Sequence, residues 1–116
     1  SALASRLRPY DVVACPLAIG RHVDHVTVRK AVEALGRPVR YFADIPYLLK
    51  HPHELETSAR GMQAGVTRVS EAGVSAWQEG VAVYASQTST LFDPPEKLSG
   101  AIASYAELGV RFWKFE

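Results

Sequence analysis

Gly20-Arg21-His22-Val23-Asp24-His25 follows the apolar run Asp11-Val-Val-Ala-Cys-Pro-Leu-Ala-Ile19, and the junction between these stretches decides the fold. The run is short, aliphatic and rich in β-branched residues, the pattern of a strand buried on both faces. Beyond the junction, Val28, Ala31, Val32 and Leu35 recur at i, i+3, i+4 and i+7. That spacing predicts one face of a helix stopping at Gly36. A buried strand feeding a helix opens an α/β unit, and in open α/β sheets ligands bind at that carboxyl-end crevice.

Outward from the junction, Arg37-Pro38 breaks the chain and Val39-Arg40-Tyr41-Phe42-Ala43 reads as a second strand. Residues 45–57 carry two prolines with His51 and His53 and are expected to be irregular. Residues 62–69 are expected to hold a short strand around Val66-Thr67-Arg68-Val69. Trp77, Val81, Tyr84 and Thr88 at i, i+4, i+7 and i+11 predict an amphipathic helix over 72–87, with Trp77 in the core. The next helix is marked by Asp93 as N-cap, Pro94 at its first position, Glu96 in a capping box and Gly109 as terminator. Leu98, Ile102 and Tyr105 form its inner face, and residues 110–115 follow as a closing strand or extended tail. The expectation is one α/β domain over 1–116, a mainly parallel sheet with helices on its faces.

At 116 residues the chain is one domain's worth and can bury about two-thirds of its unfolded surface. A net charge of +1 gives no electrostatic case for nucleic acid or an anionic membrane. No apolar run approaches the roughly 20 residues of a membrane span. Ser1 opens without a charged and apolar leader, so no signal peptide is expected and a cytoplasmic location is. The lone Cys15 excludes an intrachain disulfide, and a buried apolar role in its strand is the default. Homo-oligomerisation stays open.

The residues of the junction carry chemistry. His22 and His25, three apart, can share one face of a first helical turn. The positive helix end there favours neutral imidazole, the metal-binding form. One histidine can ligate a divalent ion while the other moves a proton near neutral pH, and Asp24 can fix an imidazole tautomer. The plainer alternative is polar capping, with Asp24 serving as an N-terminal charge. His51-Pro52-His53 has a His-x-His metal spacing, but proline beside loop histidines argues for a solvated turn. Arg21 faces the crevice, either to hold substrate or simply as a solvated side chain.

Pro16-Leu17-Ala18-Ile19-Gly20-Arg21-His22-Val23-Asp24-His25 followed by Val28-Arg29-Lys30-Ala31 resembles the second conserved block of the PIG-L / LmbE-like deacetylases, a Gly, a short gap, His-Pro-Asp-His and a helix. Tyr41-Phe42-Ala43-Asp44-Ile45-Pro46-Tyr47 is similar to an aromatic-acidic-Pro-Tyr segment of that family. Tyr84-Ala85-Ser86-Gln87 resembles the Ser-Gln end of its next long helix, and Arg111-Phe112-Trp113 its aromatic, basic close. Val23 stands where the family has Pro. The family's first block, Pro-His-Pro-Asp-Asp-Glu, with two metal ligands and the general base, is absent, and the chain holds no Asp-Asp pair.

The resemblance implies a Rossmann-like α/β/α fold and a zinc-dependent hydrolase that removes the N-acetyl group from an N-acetylglucosamine conjugate. By this carry-over His25 is the metal ligand, His22 protonates the departing amine, and Asp24 orients the pair. Arg21, Asp44 and Tyr47 contact substrate, while Gly20 stands where some members place an oxyanion-supporting Tyr. The chain would be the C-terminal half, with its first half missing or on another polypeptide, and would bind zinc weakly and be inactive alone. Two alternatives stay open: a non-catalytic α/β module keeping a relic of the motif, and a metallo-β-lactamase-like hydrolase. The latter's His-x-His-x-Asp-His motif would put its first His at Gly20.

Overall fold

In the computed structural model, which describes residues 2–45, 47–84 and 97–115, the apolar run becomes strand β1 (Val13–Pro16) and the junction hands it to helix α1 (Val23–Glu33). Strand β2 (Val39–Phe42) pairs parallel with β1, Val13 opposite Val39 and Pro16 opposite Phe42. The Leu17 N–H donates to the Phe42 carbonyl at 2.9 Å and carries the ladder one step on. Two short helices, α2 (Tyr47–Lys50) and α3 (Glu54–Ser58), occupy the stretch expected to be irregular. The order then runs β3 (Met62–Thr67), α4 (Glu71–Ala82), α5 (Lys97–Glu107) and β4 (Val110–Phe115).

The four strands form one sheet in the order β1-β2-β4-β3. The fold is α/β, but the sheet is mixed: β2 and β4 run antiparallel, with Tyr41 opposite Trp113. The expected parallel pairing therefore holds for β1 and β2 only. Helices separate the later strands as well, so alternation alone does not set the direction of β4; a cross-strand aromatic pair lies where it meets β2 antiparallel. Tyr41 and Trp113 are both buried, and the Arg111 guanidinium lies 5.1 Å over the Trp113 ring.

The chain groups into two compact units, Ser1–Gly65 with Arg111–Glu116, and Val66–Val110. In the first, Cys15, Leu17 and Ile19 from β1 and its exit, Val32 from α1, Tyr41 from β2, Leu48 from α2 and Trp113 from β4 form the core. Burial of a side chain such as Leu17 or Ile19 contributes about 1.5–3 kcal/mol. Cys15 is a free, buried thiol, and burial pushes its pKa up to about 11.

The inward side of α1 differs from the predicted stripe. Val32 is buried as its spacing predicts, but Val28 and Ala31 are exposed, and His25 and Arg29 turn partly inward beside Val32. Arg29 is held there by its own hydrogen bonds: Nη1 donates to the Leu17 and Ser58 carbonyls, both at 2.9 Å, and Nε to Glu33 at 2.8 Å. Its guanidinium lies over the Tyr41 ring, whose hydroxyl also donates to Glu33.

In the second unit α4 starts at Ser70, whose Oγ accepts the Gly73 N–H, and stops at Ala82, short of the predicted end. Trp77 meets Tyr105 edge-on at 6.2 Å, and Gln78 donates to the Ser99 carbonyl. Leu98, Ile102 and Tyr105 are buried on α5, as their spacing predicts, and Gly109 ends the helix at φ +87°. The strand expected within 62–69 is β3, centred earlier than Val66-Thr67-Arg68-Val69. The predicted markers Thr88, Asp93, Pro94 and Glu96 lie outside the described residues, as do Pro46 and Ala85-Ser86-Gln87. Among the described residues no helix is long and apolar enough to cross a membrane.

Candidate functional site

The turn between β1 and α1 is wound through the left-handed region at Ala18 (φ +67°), Gly20 (φ +84°) and Arg21 (φ +56°). Each non-glycine residue there costs about 1–2 kcal/mol, so the conformation needs support from outside the turn. Two carboxylates give it. The Ile19 N–H donates to Asp44 Oδ2 at 3.1 Å and the Gly20 N–H to Glu54 Oε1 at 3.3 Å. Gly20 is also required sterically, because a Cβ at this position would lie 2.7 Å from the Tyr47 ring.

Asp44 follows β2 and is the one buried charged residue among those described, its side chain 2% exposed. Its Oδ1 lies 2.8 Å from His25 Nδ1. The contact is close without being aligned as a hydrogen bond, and His25 Nδ1 is buried with no directed partner. Burial raises the Asp44 carboxyl above its ordinary range, while the His25 imidazole and the backbone N–H groups of Ile19 and Ala18 pull it back. A nitrogen lone pair facing a carboxylate oxygen at this distance would be repelled, so Nδ1 carries the ring proton. His25 Nε2 is then left with its lone pair.

His22 takes the opposite tautomer. It is the N-cap of α1, and its Nδ1 accepts the Asp24 N–H at 3.2 Å. The neutral ring therefore carries its proton on Nε2. The two rings lie 5.2 Å apart and tilted, one presenting a donor and the other an acceptor. Tyr47 stands over both, 5.7 Å from His25 and 6.3 Å from His22.

The carboxylate roles differ from those expected. Asp24 does not orient the pair: its side chain is 81% exposed and its Oδ2 stands 3.9 Å from His22 Nδ1, within reach only of a protonated His22. Asp44, expected to contact substrate, is buried with both oxygens engaged, and it is the group that orients His25. Twenty-five positions separate it from its partner Ile19, so local spacing carried no sign of this role. Arg21 is exposed on the turn.

A second cluster lies beyond α2. His51 Nδ1 stands 3.3 Å from Glu54 Oε2, and the His51 and His53 rings meet at 6.1 Å. One ligand atom from each of His51, His53 and Glu54 falls within 4.8 Å of the others. Glu54 was missed in the sequence, although His-x-His-Glu was there to be read.

No family model, curated protein or solved structure matches this chain. The fit of a zinc ion to the β1–α1 turn therefore rests on its donors. A catalytic zinc takes about three protein ligands. His25 fits one of them, since metal-ligating imidazoles give their other nitrogen to a carboxylate. Among the described residues no group of three metal donors includes His25. The turn fits one ligand position, not a whole site.

Proposed function

We propose that this chain carries the imidazole–carboxylate part of the active site of a zinc-dependent hydrolase, which removes the N-acetyl group from an N-acetylglucosamine conjugate. The observation that carries the reading is His25 set 2.8 Å from buried Asp44, with the His22 ring 5.2 Å away on the same turn. His25 would hold the ion through Nε2, with Asp44 keeping that lone pair outward. Zinc, when bound, polarises the acetamide carbonyl and acidifies water.

His22 would protonate the departing amine from Nε2. Its charged form requires a proton on Nδ1, which gives up the bond from the Asp24 N–H, and the Asp24 carboxylate 3.9 Å away is placed to receive it. The aromatic face of Tyr47 and the exposed Arg21 remain the candidates for sugar contact. Asp44 is withdrawn from that role by its burial. The reading places the protein in the cytoplasm and needs the remaining ligands and general base from a Pro-His-Pro-Asp-Asp-Glu block.

Acetate release from N-acetylglucosamine conjugates tests it, using this chain alone and joined to a half bearing that block. In the joined form, His22→Ala should keep zinc and lower kcat by about 10²–10⁴, the usual worth of a general acid. His25→Ala should lose the zinc held at the β1–α1 turn. If the joined form releases no acetate from glycolipid, thiol-precursor or antibiotic conjugates, the hydrolase reading fails and a non-catalytic module replaces it.

A further inference from the structure

We propose that His51, His53 and Glu54 form a binding site for a divalent cation of the zinc class, separate from His25. The inference does not depend on the hydrolase reading. The three donors already converge, one ligand atom of each lying within 4.8 Å of the others. Two donors on a tetrahedral zinc, each about 2.0–2.2 Å from the ion, stand roughly 3.3–3.5 Å apart. The His51 Nδ1 to Glu54 Oε2 separation of 3.3 Å is that edge. His53 is exposed and free to swing the remaining distance, while His51 and Glu54 are half-buried.

The backbone presets the two inner ligands. The His51 N–H donates to the Tyr47 carbonyl at 2.8 Å, and the Glu54 N–H to the His51 carbonyl at 3.0 Å, which hold both residues on one turn. The other carboxylate oxygen, Glu54 Oε1, accepts the Gly20 N–H, the kind of outer contact that aims a ligating carboxylate. Two imidazoles and one carboxylate suit zinc and its first-row neighbours and select against magnesium and calcium, which prefer oxygen sets. Three protein donors on an exposed rim leave a coordination position for water or an anionic ligand.

Zinc titration of the chain, without a polyhistidine tag and in competition with a chromophoric chelator, is the test. The expected result is one zinc per chain, undisturbed by millimolar magnesium. His53→Ala and Glu54→Gln should each weaken binding at least tenfold, and His25→Ala should leave it within twofold. His53 is exposed and Glu54→Gln keeps an acceptor for the Gly20 N–H, so both variants should retain the parent's far-ultraviolet circular dichroism. Absence of saturable zinc binding would overturn the proposal. So would zinc binding that survives in both variants but is lost in His25→Ala, a result that would favour the hydrolase reading instead.

Discussion

Two pairs of histidines lie on one side of this sequence and are handled in opposite ways. His22 and His25, marked by the motif, sit on a strained turn where one imidazole is locked to a buried carboxylate and the other caps a helix. His51 and His53, flanking a proline, sit on a turn where His51 is half-buried and His53 exposed, and they converge with Glu54. The first pair is built for fixed tautomers, the second for a shared ligand. Burial of the partner makes the difference: a carboxylate 2% exposed dictates which nitrogen holds the proton, whereas one 24% exposed stays available.

Removing the buried partner should have the largest effect on this contrast. Asp44→Ala takes the close carboxylate from His25 and leaves the Ile19 N–H without its acceptor, and we expect a loss of about 3–4 kcal/mol in urea unfolding. A loss below about 1 kcal/mol would mean that the first pair is no more fixed than the second. Gly20→Ala comes next. It puts a Cβ 2.7 Å from the Tyr47 ring on a backbone at φ +84°, and about 2–3 kcal/mol should go by the same measurement.

The core around Cys15 and Tyr41 should give way in alkali. Burial raises Cys15 from 9.0 to about 11, and burial together with the bond to Glu33 raises Tyr41 from 10.0 to about 12. Both groups are neutral in the fold, so their stabilisation is complete below the unfolded value and lost as pH rises through the folded one. Stability should start to fall near pH 9, by on the order of 2 kcal/mol for the Cys15 step. In Cys15→Ala the fall should begin nearer pH 10, and an unchanged onset would refute this assignment.

The smallest effect concerns capping. His22→Ala should cost about 1 kcal/mol of thermal stability and His22→Asn much less, because asparagine also caps. His53→Ala, on the open turn, should stay within about 0.5 kcal/mol.

How much of this was legible depended on range. Leu98, Ile102 and Tyr105 with Gly109 declared α5 because helical burial repeats over four residues. The strands around Cys15 and Tyr41 were equally plain from their apolar runs. β3 was centred too late because the alternation of Met62, Ala64 and Val66 is weak, with Gly65 inside it, and carries no buried position. The inner face of α1 was misread because two of its inward groups, His25 and Arg29, are polar and become tolerable there only through distant partners. Asp44 looked like a substrate contact for the same reason: Ile19 reaches it across the sheet edge, and nothing near position 44 says so. The direction of β4 was likewise a matter of tertiary pairing.

Arg29 joins pieces of chain that are far apart in sequence. One nitrogen holds Leu17, at the exit of β1, and Ser58, at the end of α3, while the rest of the group grips Glu33 and covers Tyr41. Neither segment can come away without stripping a permanently charged group of its acceptors. Amide protons on the histidine-bearing turn and on α3 should therefore exchange with solvent as one cooperative set, at a rate common to both. Lysine, a point charge without the guanidinium fork, would let the two segments exchange independently.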